Sequence, residues 1–361
     1  MKALHLFVIF IPFAIGWPVL AESIAVEQQA SQSPEQALLA QEPEKLVVPL
    51  GLSPVPWPAD NPYNQKKAEL GRLLYFDKRL SADGSISCAT CHQTRLAFTD
   101  HKSVSEGIGG QKGTRNSPTV INAGYESHLF WDGRAPSLEE QAKGPIANIK
   151  EMALTDDAHK AHFQCHERVK KVSGYRELFK LVFGGDECSM DDIAKALATF
   201  ERTVLSGNSA YDRYAAGDKT AMNEEQIHGY QVFKRSGCAN CHFGPTFTDG
   251  RFINIGIGMN APKPDLGRYE ITKDKKDWGA FKTPTLREVA HTYPYMHDGS
   301  LHTLEEVIDY YDKGGNANPN LHPLMKPLHL SEKEKKDLIS FLKALNGEGW
   351  RHFTEPEKFP Y

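Results

Sequence analysis

Apolar residues recur at helical spacing in a series of short stretches, at 65–76, 138–143, 175–182, 190–205, 224–234, 304–311 and 331–345. Two of these carry start signals. Asp191-Asp192 precede Ile193, and Ser331 with Glu334 forms a capping box. Strand-like alternation is scarce. The pattern predicts a mostly α fold in which modest helices are joined by long, shaped loops. Its 29 glycines and 22 prolines suit such loops, and 51–62 is proline-rich and extended or turn-like. The longest apolar run lies at the start, where Met1-Lys2 is followed by 3–20. A membrane anchor is one reading, but Pro12 and Pro18 interrupt the run and it is short for a span of about 20 apolar residues. Val19-Leu20-Ala21 supplies small residues for cleavage, so 1–21 is expected to be a signal peptide and 22–50 a flexible leader.

The pattern also repeats. Ser117-Pro118-Thr119-Val120 returns as Thr283-Pro284-Thr285-Leu286, Asp132-Gly133 as Asp298-Gly299, and Leu138-Glu139-Glu140 as Leu304-Glu305-Glu306, always 166 residues on. With 361 residues, a duplication into two domains is expected, the first over 51–205 and the second over 206–361. The charge run 273–277 falls in extra loop length of the second copy and reads as solvated. A net charge of −4 points neither to nucleic acid nor to a basic membrane-binding face, and after the first run no stretch is long and apolar enough to span a membrane.

Chemistry enters with the cysteines. Cys88-Ala89-Thr90-Cys91-His92 and Cys238-Ala239-Asn240-Cys241-His242 are both C-x-x-C-H, and each is followed by Phe-Thr-Asp, at 98–100 and 247–249. Either motif alone is readable as half a zinc site or a redox dithiol. Two copies with histidine directly after the second cysteine point to two covalently attached c-type haems, with His92 and His242 as iron ligands. Covalent haem attachment outside the bacterial cytoplasm agrees with export. The remaining pair, Cys165 and Cys188, predicts a disulfide in an oxidising compartment, with two unconnected thiols as the alternative. His162-Phe163-Gln164-Cys165-His166 lacks the first cysteine of a haem site.

Aligning the two copies separates their irons. Tyr311 of the second copy falls on Pro145 of the first, and proline cannot ligate iron. If this position faces iron, the first haem is open there, and the second is closed by a phenolate. Glu151 lies six residues beyond Pro145. It is readable as an exposed charge or as an acid–base group beside the open iron, able to move a proton between the oxygens of peroxide. Trp131, the counterpart of His297, is either a packed aromatic or an electron relay.

At this point the chain resembles the bacterial di-haem cytochrome c peroxidase family, and within it the MauG-like branch. The resemblance covers about 62–345. Besides both haem motifs it rests on Arg115-Asn116-Ser117-Pro118-Thr119, Phe130-Trp131-Asp132-Gly133-Arg134, Lys143-Gly144-Pro145, Glu151-Met152, Phe200-Glu201-Arg202-Thr203 and Tyr293-Pro294-Tyr295-Met296-His297-Asp298-Gly299. It implies one cytochrome-c-like core per haem, a peroxidatic first site with Glu151 as distal acid, Trp131 between the haems, and electron transfer through the second haem. It further implies a calcium ion held by the Asn116 side chain and the backbone carbonyls of Thr292 and Pro294, where Asn116 alone would read as a turn residue. A periplasmic location, hydrogen peroxide as substrate and a homodimer belong to the same expectation. So does a partner that is either a small cytochrome c or cupredoxin electron donor, or a protein whose side chains are oxidised.

Two departures separate the chain from typical members. The stretch Gly107-Ile108-Gly109-Gly110-Gln111-Lys112-Gly113 lacks the histidine that caps the first haem in typical members. Tyr311 replaces the methionine that typically binds the second iron, and a hard phenolate stabilises the ferric state. A non-catalytic di-haem carrier or redox sensor is the competing class. It would recruit Met259, Met296 or Met325 as soft ligands, or His101 or His128 at the first iron.

Overall fold

The computed structural model describes residues 45–185 and 188–361; the expected signal peptide and most of the leader lie outside them. In the first half the helices are α1 (Gln65–Phe76), α2 (Cys88–Cys91), α3 (Leu138–Ala147), α4 (Ala158–Lys170), α5 (Ser173–Phe183) and α6 (Met190–Glu201). The second half contributes α7 (Ala210–Ala215), α8 (Glu224–Arg235), α9 (Tyr269–Thr272), α10 (Leu304–Asp312) and α11 (Glu332–Lys343). Among the described residues, the strands are β1 (Phe252–Ile253) and β2 (Phe281–Lys282), an antiparallel pair. The expectation of a mostly α protein holds.

Each half is built on one pair of crossing helices, α1 with α6 and α8 with α11. Leu70, Leu73 and Leu74 meet Ile193, Leu197 and Phe200 in the first core, and Val232 and Phe233 meet Leu338, Phe341 and Leu342 in the second. Both crossings are closed by a glycine. A Cβ on Gly71 would overlap the carbonyl oxygen of Ala196, and one on Gly229 would overlap that of Asp337. Neither helix pair can tolerate a methyl group there without moving apart. Gly71→Ala and Gly229→Ala are each expected to lower stability by about 1–3 kcal/mol through overpacking, read as lower unfolding midpoints in denaturant.

The duplication reaches into the backbone. Leu129 bridges Ala135 as Tyr295 bridges Leu301. Asn122 and Glu288, 166 residues apart, both hold positive φ, as do Phe130 and Met296. Asn122 exchanges two bonds of 3.0 Å with the Ser206 backbone, while Glu288 Oε1 accepts from Ser206 Oγ and the Gly347 amide, each at 2.5 Å. The two copies thus share Ser206 as a seam.

Helix limits differ from the sequence pattern for local reasons. Gly144-Pro145 reads as a stop after 143, yet α3 continues to Ala147 and closes with the Asn148 amide on the Pro145 carbonyl, at 3.1 Å. Helix α6 ends at Glu201 because the Thr203 and Val204 amides turn back to Phe200 and Glu201. Helix α4 has no counterpart in the hydrophobic pattern. Ala161, Cys165 and Val169 are its buried residues, set among strongly polar neighbours.

Two expectations change. Cys165 and Cys188 are free thiols in the first core, not a disulfide. Burial pushes both up to about 12, away from the thiolate that disulfide chemistry requires. Residues 350–361, numbered within the second copy, return to the first: Trp350, Phe353 and Phe359 pack on its core. Arg79 there donates to the Pro360 carbonyl at 2.9 Å, and the Gly174 amide to the Tyr361 carbonyl at 2.9 Å.

Candidate active site and cofactor cavities

In both motifs the chain turns so that the histidine ring is half-buried and held by a carbonyl. His92 Nδ1 lies 3.3 Å from the Phe98 carbonyl oxygen, and His242 Nδ1 lies 3.0 Å from that of Phe247. With Nδ1–H donating to a carbonyl, Nε2 carries the lone pair needed by a metal. Phe98 and Phe247 can present these carbonyls because both adopt positive φ, 58° and 53°. Thr119 Oγ1 donates to the Ala97 carbonyl at 2.7 Å, and Thr285 Oγ1 to the Thr246 carbonyl at 2.6 Å. Each Pro-Thr of the repeat therefore anchors the loop that orients the histidine. Sequence reasoning noted the repeated Phe-Thr-Asp without a role. Burial pushes both histidines below their ordinary pKa, which keeps them neutral, the ligating form.

The second motif opens into a cavity of about 1940 Å³, counting its mouth. Cys238, Cys241, His242 and Tyr311 all line it, with apolar walls from Ile253, Val307, Ile308, Leu338 and Leu342. Burial raises the Tyr311 phenol, and the nearby Cys238 and Cys241 raise it further. A phenol so placed stays protonated until a cation enters. Thioether-forming cysteines, a neutral histidine, a facing phenol and apolar walls fit a ferric c-type haem. Met296 and Met325 line the same cavity. Met259 instead lies against Gly279.

The cavity continues to the first half. Thr99, Asn116, Ser117 and Trp131 form its far wall, and Ser117 Oγ sits 3.4 Å from the His92 ring. Trp131 is tied on both sides: its Nε1 donates to the Asn116 carbonyl at 2.9 Å, and its own carbonyl accepts from the Lys282 amide at 2.8 Å. A continuous path of packed groups thus joins His92 to the second cavity. Arg115 locks the two halves here, bonding Asp132 at 2.6 Å and Asp265 at 2.7 and 2.9 Å.

At the first motif, the Tyr75 hydroxyl donates to the His92 carbonyl at 2.8 Å. Pro145 lies in the last turn of α3, as Tyr311 lies in that of α10, and Glu151 follows on the next loop. Burial lifts the Glu151 carboxyl above its ordinary value, opposed by Arg134 and by a 2.5 Å bond from Asn148 Nδ2. The Glu151 charge contributes to raising the Cys91 thiol. The exposed-charge reading is therefore not what is found. His101 is engaged elsewhere, with Nε2 3.0 Å from the His291 carbonyl and its ring stacked on Tyr293.

Asn116, Thr292 and Pro294 line one cavity wall. The Asn116 Nδ2 donates to the Lys102 carbonyl at 2.9 Å, which turns its Oδ1 the other way. Among the described residues that oxygen accepts from no donor, so an oxygen-seeking cation fits the set.

Comparison with known proteins agrees with this construction. Residues 65–220 match the di-haem cytochrome c peroxidase family and 226–346 match cytochrome c. The chain is 42% identical over 298 residues to the methylamine utilization protein MauG of Methylorubrum extorquens, covering 81% of this chain and 82% of that protein. It is 40% identical over 299 residues to the cytochrome c551 peroxidase of Nitrosomonas europaea, covering 81% and 84%. A crystal structure of a MauG-like protein associated with microbial copper homeostasis superposes with a TM-score of 0.76 at 32% identity, over 87% of this chain and 98% of that one. Two haem-bearing halves, their relatives and their shared architecture make this chain a member of the di-haem cytochrome c peroxidase family, an oxidoreductase acting on peroxide.

Proposed function

We propose that the protein is a periplasmic, MauG-like di-haem peroxidase that reduces hydrogen peroxide at the site of His92. The observation that carries this reading is the inequality of the two far sides: Tyr311 shares a cavity with His242, whereas the matching Pro145 offers no ligand and is followed by half-buried Glu151. Cys88, Cys91 and His92 would hold the haem, which would supply the redox chemistry of O–O cleavage. Glu151 takes a proton from the oxygen that stays and delivers it to the oxygen that leaves as water. Two electrons and two further protons complete the reduction to a second water. Trp131, bonded to both halves, lies on the route by which electrons reach the first site from the second, held by Cys238, Cys241, His242 and Tyr311. Calcium at Asn116 Oδ1 and the carbonyls of Thr292 and Pro294 would brace the wall on which Trp131 rests. Export rests on the pattern of 1–21.

Electron paramagnetic resonance of the resting ferric protein tests the reading. One high-spin haem and one low-spin haem are expected, and Tyr311→Phe should change the low-spin signal alone. Two low-spin haems would remove the open site and favour the carrier reading. Relatives named for a peroxidase and for MauG leave two possible electron sources, a small cytochrome c or cupredoxin and the side chains of a partner protein. Steady turnover with a reduced small cytochrome is expected; its absence in a peroxide-reactive protein would favour the second source.

A further inference from the structure

The loop that carries Glu151 is held from two directions, by residues outside the haem motifs. From one side comes Asn148, the C-cap of α3. Its carbonyl accepts from the amides of Glu151, Met152 and Ala153 at 3.0, 2.9 and 3.0 Å. Its Oδ1 accepts from the Lys150 amide at 2.9 Å, and its Nδ2 donates to Glu151 Oε1 at 2.5 Å. One residue thereby fixes the loop backbone and aims the carboxylate.

From the other side comes a small hairpin. The Gly113 amide donates to the Ser105 carbonyl at 2.9 Å and the Gly107 amide to that of Gln111 at 2.8 Å, with Glu106 bridging Lys112. The hairpin is docked on the acid's own loop: the Ile108 amide donates to the Glu151 carbonyl at 2.9 Å, and Gln111 Nε2 to the Ile149 carbonyl at 2.8 Å. At Gly107 the contact is so close that a Cβ would overlap the Lys150 carbonyl and crowd the Glu151 Cα.

We propose that Asn148 is a positioning residue for Glu151, and that the 105–113 hairpin clamps the pair in its working pose. The proposal rests on the reading of Glu151 as the proton-transfer group. Its chemical content is directional. An amide N–H donated to a carboxylate favours the charged form, which is the form able to accept a proton from peroxide. The other charged or titratable groups facing Glu151 are Arg134 and Cys91. Arg134 acts in the same sense as Asn148, but Asp132 already holds it, at 3.0 and 3.1 Å. Asn148 is therefore the group whose donor is committed to Glu151.

The test uses the protein with both haems attached. The infrared carboxyl band of Glu151, identified by its loss in Glu151→Gln, is followed against pH. In Asn148→Ala its titration is expected to move up by about one pH unit, and the rising limb of the peroxide rate should move with it. Asn148→Asp retains the acceptor for the Lys150 amide while losing the donor and adding a like charge, so its shift should be larger in a loop that stays capped. Gly107→Ala, which leaves Asn148 in place, should slow the reaction by displacing the Glu151 backbone. An unmoved carboxyl titration in both Asn148 variants overturns the positioning role, and a wild-type rate in Gly107→Ala overturns the clamp. A wild-type peroxide rate in Glu151→Gln would instead overturn the proposed function, while the infrared shift would still decide for or against Asn148.

Discussion

Glu151→Gln in the two-haem protein is expected to slow reaction with hydrogen peroxide by about 10²–10⁴-fold while leaving both resting haem spectra in place. Glutamine preserves the shape and keeps an oxygen toward Asn148, but it cannot take a proton. Stopped-flow mixing with peroxide reads the rate, and the resting spectra show whether either haem has been disturbed. The pH dependence has a definite sign. Burial raises the Glu151 carboxyl, and Arg134 and Asn148 only partly oppose it. The wild-type rate should therefore rise with pH through a value above the usual carboxylate range, and this limb should vanish in the variant. The same shift bears on folding. A carboxyl whose folded pKa is raised binds its proton more tightly when folded, so its contribution falls as pH rises above the unfolded value. Glu151→Gln should then be neutral or stabilising at pH 7, although it disables the reaction.

Arg287→Met should lower stability by about 3–5 kcal/mol, because it strands a buried charge. Arg287 and Asp212 are 1% and 2% exposed at their side chains, so the carboxylate has no route to water once its partner is removed. Their bond is bidentate, at 2.8 and 2.9 Å, and Arg287 Nε also donates to the Pro245 carbonyl at 2.5 Å. Burial pushes Asp212 up, but Arg287 and the Ser209 hydroxyl outweigh it, leaving the carboxyl below its ordinary value. Its stabilising contribution is complete above the unfolded pKa and is lost as pH falls through the lower folded value. Arg287→Met should flatten that acid limb. Removing Asp212 as well, as in Asp212→Leu with Arg287→Met, should recover much of the loss, since the pair costs desolvation to keep. Denaturant titrations of the single and double variants decide this.

Much of this site was legible from the chain because chemistry and duplication reinforce each other. Two C-x-x-C-H motifs imply two haems, and the 166-residue repeat sets Tyr311 against Pro145. What the repeat could not convey was why its small pieces recur. The value of Phe98 and Phe247 lies in their carbonyls, made available by a backbone conformation that side-chain patterns do not encode. Asn148 escaped notice for a similar reason. An asparagine after a proline-containing helix reads as punctuation, and its second task emerges only when the loop folds back. Helix α4 was missed because its residues are strongly polar on average, so its apolar stripe does not stand out. The Cys165–Cys188 pairing did not follow, because an even cysteine count and an oxidising compartment do not bring two sulfurs into bonding geometry.

The return of residues 350–361 to the first core has a consequence for how the protein is made. Trp350 is 4% exposed and meets Phe98, the residue whose carbonyl orients His92, with ring centroids 6.4 Å apart. This segment leaves the ribosome after both haem motifs. The pocket whose motif is synthesised first is therefore the one completed last, and the second half, bounded by α8 and α11, can close before it. Haem delivered to Cys88 and Cys91 before the chain is complete would meet a half-built site, tethered but not yet shielded. A maturation intermediate should then carry a finished second centre beside an exposed first one.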